Sequence, residues 1–160
     1  MLEGLDTHGC TSDLIAIVER AITLSPLAVL LRQSLFIESV CCVILGWEEK
    51  VAQHILHEIG VDFGYLSRAL DKRIRQHAFN PRKRRMSVDD LLSNGVTRGN
   101  ALIARARKEA ASMKKDYVGT EHLLMAIVGM SRGDFAKLLV RHGITSPIVR
   151  ETAIRVLSPD

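Results

Sequence analysis

The chain has 160 residues, enough for one domain with a hydrophobic core, and its 47% hydrophobic content excludes a disordered protein. The net charge is +4, but residues 1–71 carry −6 and residues 72–160 carry +10. There is no apolar run near the roughly 20 residues that span a bilayer, no signal-peptide pattern at the start, and an odd number of cysteines. Cys41 and Cys42 therefore indicate buried thiols in a reducing compartment, and a cytoplasmic location is expected.

The first half of the chain is predicted to be helical after a short tail. Residues 1–10 are expected to be loose. Thr11, Ser12 and Asp13 offer an N-cap to an amphipathic helix, and Ser25-Pro26 should break that helix because an internal proline costs about 3 kcal/mol. Three more helices are predicted over 35–45, over 48–58 and from Asp62 onward.

The second half of the chain is also predicted to be helical. Asn80-Pro81 should end the preceding helix, and residues 87–92 are predicted to form a single capped turn that Asn94-Gly95 ends. A long helix is expected over 97–114. A short helix that begins at Thr120, a second that stops at Gly143, and a last one from Ser146-Pro147 complete the chain. With no convincing strand, the pattern predicts an all-α fold.

Two parts of the chain repeat one pattern. A shift of 83 positions places Glu121 on Glu38 and Gly143 on Gly60, and the apolar residues between them agree without a gap. We interpret the chain as two copies of one four-helix unit.

The start of the second copy has its own chemistry. Thr120 can cap a helix through its hydroxyl, and Glu121 places negative charge at the positive end of that helix. Glu38 is assigned the equivalent place in the first copy, where Phe36 and Ile37 replace the small residues of the second.

These residues carry a family resemblance. Tyr-Val-Gly-Thr-Glu-His-Leu-Leu-Met-Ala-Ile (117–127), with Ala-Lys-Leu-Leu (136–139) and His-Gly-Ile (142–144), resembles the second repeat of the Clp N-terminal domain, which leads the Hsp100 unfoldases ClpA and ClpC. The resemblance covers about residues 12–158. It implies a single all-α domain over 1–160 made of two pseudo-twofold four-helix repeats: repeat 1 at about 12–76, a basic linker at about 77–95 and repeat 2 at about 96–158.

The resemblance also implies a function. Members of the family act as non-catalytic docking modules of the Clp protease and chaperone system, with Clp ATPases, adaptors or substrate proteins as partners. In some ClpC-type members the glutamate of this motif contacts phosphorylated arginine. The candidate binding residues are then Gly119, Thr120, Glu121 and Glu38, and Phe36 should weaken the site at Glu38.

Two other features have open interpretations. Trp47 lies at a predicted turn and either packs between helices or anchors a partner. The linker run Arg82, Lys83, Arg84 and Arg85 is either a solvated loop or a docking surface for a polyanion: an acidic partner, the chain's own acidic first repeat or nucleic acid. Nucleic acid is the weaker choice of polyanion, because no reading helix and no stacking aromatic residues accompany the charge.

The sequence predicts no enzyme. It has no Gly-x-x-x-x-Gly-Lys-Ser/Thr loop, so ATP hydrolysis by the family's route is excluded. His54 and His57 share a predicted helix face with Glu58, but the spacing is not that of His-Glu-x-x-His and no further ligand is evident. We expect no catalytic residue, no metal site and no cofactor.

Overall fold

A computed structural model of the chain describes residues 2–24, 33–46, 50–78 and 87–158. These ranges contain no strand, although one isolated backbone bridge joins Cys10 to Val118. The all-α prediction is confirmed. None of the helices in these ranges is both long enough and apolar enough to cross a bilayer. The helices of the described ranges are α1 (Ser12–Leu24), α2 (Gln33–Gly46), α3 (Val51–Ile59), α4 (Phe63–Ala78), α5 (Val88–Ser112), α6 (Thr120–Met130), α7 (Gly133–Arg141) and α8 (Ser146–Leu157).

Helix α6 lies at the centre of the molecule. Every residue from Thr120 to Val128 is buried, and α1, α2, α3, α5 and α8 pack around it. A helix that is apolar on nearly all sides is stable only inside a core. The polar side chains at the start of α6 are therefore held inside the protein.

Helix α1 ends at Leu24, directly before the Ser25-Pro26 pair that was predicted to break it. That pair lies outside the described residues. At the other end of the helix, the Thr11 hydroxyl accepts the backbone N–H of Leu14 at 3.3 Å, which is one of the predicted caps.

The predicted helix end at Asn94-Gly95 is wrong. Helix α5 runs without a break from Val88 to Ser112, straight through Gly95. A Cβ on Gly95 would lie 2.6 Å from Cγ2 of Ile22, so the missing side chain allows α1 to pack closely against α5. Burial of Ile22 at this contact offsets the roughly 1 kcal/mol that a glycine costs inside a helix.

The prediction of a loose tail over residues 1–10 is also wrong from residue 2 onward. The Val118 N–H donates to the Gly9 carbonyl at 2.8 Å. Arg107 on α5 donates to both carboxylate oxygens of Asp6, at 2.6 and 2.9 Å, and this hydrogen-bonded cation lowers the pKa of Asp6. These partners lie about 100 positions further along the chain, so no local pattern indicates them.

The two adjacent cysteines differ in burial. Cys41 is buried in the core, as predicted, and burial raises the pKa of its thiol. Cys42 is only half-buried, and burial raises its pKa to about 12. Both thiols are free, and neither has the lowered pKa that a reactive cysteine needs.

The order of the helices is compatible with an internal repeat. The 83-position shift brings α2, α3 and α4 over α6, α7 and α8 in turn, and α4 and α8 then begin at the same position. Gly60 and Gly143 follow α3 and α7 with φ of 84° and 74°, which glycine adopts without strain. The twofold relation of the repeats and the chain division at about 77–95 stay predictions.

Candidate functional site

The start of α6 is fixed by a histidine. Gly119 precedes the helix with an extended backbone, and its N–H donates to Nδ1 of His122 at 3.0 Å. In return, the Gly119 carbonyl accepts the backbone N–H groups of His122 and Leu123, each at 3.1 Å. A side chain at the third helical position that binds back to the N-cap N–H is a capping box. His122 therefore sets the residue at which α6 begins.

The carboxylate of Glu121 lies directly over Gly119. A Cβ on Gly119 would be 2.6 Å from Oε1 of Glu121, well inside van der Waals contact. Since φ of Gly119 is −105°, any residue could adopt this backbone, and glycine is required for space alone. The space over Gly119 is therefore filled by the protein's own carboxylate.

Glu121 is buried in an unusual state for a carboxylate. Its side chain is 2% exposed, and Oε1 has no hydrogen-bond partner within the described ranges. Burial raises the pKa of Glu121, while its own backbone N–H, the Tyr117 hydroxyl and Lys115 act in the opposite direction. One oxygen of the side chain thus lacks a hydrogen-bond donor, and burial makes the ionised form of the carboxylate unfavourable.

His122 is the second buried titratable group. Burial, with help from Lys115 and Arg150, lowers its pKa to about 4. The neutral ring accepts at Nδ1, so its proton lies on Nε2, which has no partner among the described residues. Oε1 of Glu121 lies 3.4 Å from Nδ1, but that nitrogen carries no proton and the two groups form no ion pair. The rings of Tyr117 and His122 meet in a T-shaped contact, with ring centroids 5.7 Å apart.

Thr120 caps a helix, but not its own. Its hydroxyl accepts the backbone N–H of Ala52, in the first turn of α3, at 3.2 Å. Lys50 precedes α3 and makes no side-chain cap, so Thr120 supplies from another part of the chain the acceptor that this helix start lacks. The predicted cap on α6 is therefore corrected to a cap on α3.

Thr120→Val is expected to lower the free energy of unfolding by about 1–2 kcal/mol, because the isosteric side chain leaves the buried N–H of Ala52 without an acceptor. Urea denaturation measures the loss. Thr145→Val is the matched control, since Thr145 also precedes a helix but makes no side-chain cap. Equal losses in the two variants would show that the hydrogen bond to Ala52 contributes nothing.

The structure changes the role of Glu38. The sequence placed it at a helix start, but α2 begins at Gln33, so Glu38 lies more than one turn inside the helix. Its carboxylate is buried, and Arg73 on α4 donates to both oxygens, at 3.0 and 3.2 Å. Phe36 is buried in the core on the same helix. Glu38 is thus the buried counterion of the half-buried Arg73.

The structure does not describe the other predicted site residues, so it does not place them near Glu121. Trp47 and the linker run Arg82, Lys83, Arg84 and Arg85 lie outside the described residues. In the part of the chain that is described, no three His, Cys, Asp or Glu side chains come together as metal ligands would.

The sequence analysis missed two residues that contact the predicted site residues: His122 and Arg73. His122 could have been found, since it is three residues after Gly119, the capping-box spacing. Arg73 could not, because it lies 35 positions from Glu38 and only the packing of α4 on α2 brings the two together.

Comparison with known proteins completes the identification. A family model described as the Clp repeat (R) N-terminal domain matches residues 33–142, more than half of the chain. The chaperone protein ClpB of Mycobacterium leprae (strain TN) is 38% identical over 56 residues, which are 35% of this chain and 6% of that protein. The chain thus matches only a small part of the length of this relative. On the extent of the family match, the chain belongs to the Clp repeat N-terminal domain family.

Proposed function

We propose that the chain is a non-catalytic docking module of the Clp protease and chaperone system, and that it binds arginine-bearing or phosphoarginine-bearing segments of adaptor or substrate proteins at Glu121. Membership of the family supports the docking role. The observation that supports the site is the buried carboxylate oxygen Oε1 of Glu121, which has no partner within the described ranges.

A guanidinium suits this carboxylate. It offers two parallel N–H donors to the two oxygens of a carboxylate, the strongest geometry for such a pair. A phosphate on the same side chain would be favoured by the positive end of α6 and by the nearby Lys115. Because burial raises the pKa of Glu121, a bound cation would pull that pKa down, and docking in the pH range where Glu121 titrates would release a proton.

A ligand has to displace a covering side chain. Glu121 is 2% exposed, and the half-buried Tyr117 contacts both Glu121 and His122. Ligand binding therefore requires Tyr117 to move away from Glu121. Glu38 is the weaker candidate, since a ligand there would have to compete with Arg73, which is already bound through two hydrogen bonds.

Glu121→Gln is expected to weaken binding of a phosphoarginine peptide by about 10- to 100-fold, the scale of one charged hydrogen-bonded contact. Isothermal titration calorimetry on the full chain measures the affinity, with melting curves to show that the variant is folded.

Glu151→Gln, at an exposed position of α8, is the control and should leave the affinity unchanged. Glu38→Gln should have a smaller effect than Glu121→Gln. Failure of the wild type to bind, or the same loss in Glu121→Gln and Glu151→Gln, would contradict the site.

A further inference from the structure

A basic groove of about 540 Å³ runs between α4 and α7. Tyr65 at the start of α4 lines the groove and contacts His142 just after α7, with ring centroids 5.2 Å apart. Half-buried Ala69 and Leu138 form an apolar part of the lining. The charged lining residues are Arg68, Lys72, Arg73, Asp134, Lys137 and Arg141.

Most of the positive charge in the groove is uncompensated. The carboxylate of Glu38 neutralises Arg73, and Asp134 lies 3.6 Å from Lys137 in an exposed pair that is worth little. The remaining three cations are exposed and form no ion pair within the described ranges: Arg68, Lys72 and Arg141. Cations crowded along one cleft raise the local potential and concentrate anions there.

The cations are arranged as two rows. Arg68 and Lys72 lie four positions apart on α4, and Lys137 and Arg141 lie four positions apart on α7. Four helical positions correspond to a rise of about 6 Å. In an extended peptide, side chains on the same side repeat at about 6.6 Å, and alternate side chains point to opposite sides. A run of acidic residues in extended form can therefore place carboxylates against both rows at once.

We infer that this groove binds a short acidic segment of a partner protein in an extended conformation. The backbone and methylene groups of that segment would lie on Ala69 and Leu138. The groove uses none of the residues around Glu121, so the inference goes beyond the proposed function and holds whether or not Glu121 binds arginine.

A nucleic acid fits the groove less well. Binding of a single strand relies on bases stacked on several aromatic faces. Tyr65 is the aromatic side chain of the groove lining, and His142 already contacts its ring.

The test is fluorescence anisotropy of the full chain with a labelled peptide of about eight alternating Asp and Glu residues, long enough to span both rows. The Asn and Gln counterpart of that peptide serves as the uncharged probe. Lys72→Gln should weaken binding by about threefold, and Arg68→Gln/Arg141→Gln by about tenfold, as expected for partly exposed ion pairs.

Lys108→Gln is the matched control, because it removes the same charge from an exposed helical lysine outside the groove. It should change the affinity by less than about twofold if the effect is local rather than one of net charge. No binding of the acidic peptide, equal binding of the uncharged peptide, or equal losses in Lys72→Gln and Lys108→Gln would each overturn the inference. Tighter binding of an oligothymidylate that the same groove variants weaken would overturn the choice of a protein segment as the occupant.

Discussion

Arg73→Met is expected to lower the free energy of unfolding by about 3 kcal/mol, because it leaves the carboxylate of Glu38 buried without its counterion. Glu38 is 1% exposed, and each of its oxygens accepts from the Arg73 guanidinium. Methionine keeps most of the apolar stem, so the loss reports mainly the charge and the hydrogen bonds. Urea denaturation followed by circular dichroism measures the change.

The same helix provides the control for this prediction. Arg75 pairs with Asp71 at 2.9 Å, but both side chains are exposed, and Arg75→Met should cost no more than about 0.5 kcal/mol. The double variant Arg73→Met/Glu38→Met removes both charges and should recover most of the stability, since an apolar pair can replace a buried ion pair. Equal losses in Arg73→Met and Arg75→Met would mean that the buried pair is no more important than an exposed one.

The Arg73–Glu38 pair also shows where the sequence stops being informative. The repeat pattern singled out Glu38 and Glu121, and both are buried acids in the structure. It could not indicate that Glu38 is paired with the guanidinium of Arg73 while Glu121 has an unsatisfied oxygen, because tertiary packing determines such partners. Two residues aligned by pattern can therefore have different chemistry.

The helices themselves were largely predictable. Apolar spacing and the glycine after α7 are local signals, and the helix ends of the described ranges follow them closely. The errors occurred where a distant partner overrides a local preference. The local sequence around Gly95 predicts a helix end, but Ile22 of α1 packs against this glycine and α5 continues through it. The position of Thr120 in the sequence predicts that its hydroxyl caps α6, but in the structure it caps α3.

The stability of the protein is expected to decrease as the pH falls from about 6.5 to about 4, with His122 as a main contributor. The folded state holds the pKa of His122 at about 4, below the ordinary 6.5, so the unfolded chain binds a proton in this window that the folded chain does not. Above pH 6.5 His122 makes its full contribution to the free energy of unfolding, about 3 kcal/mol, and this contribution is lost as the pH falls to about 4. The raised pKa of Glu121 acts in the opposite sense at the acidic end of the window.

A comparison of variants isolates the histidine. His122→Gln keeps an acceptor for the Gly119 N–H at the capping-box position but removes the titrating ring. The stability of this variant should fall less than that of the wild type, by about 2–3 kcal/mol between neutral pH and pH 4.5, in urea denaturation at a series of pH values. His57→Gln removes an exposed histidine on α3 and should leave the wild-type pH dependence intact. Parallel curves for wild type and His122→Gln would mean that His122 titrates normally in the folded protein. The assignment of a buried, neutral imidazole at the start of α6 would then be wrong.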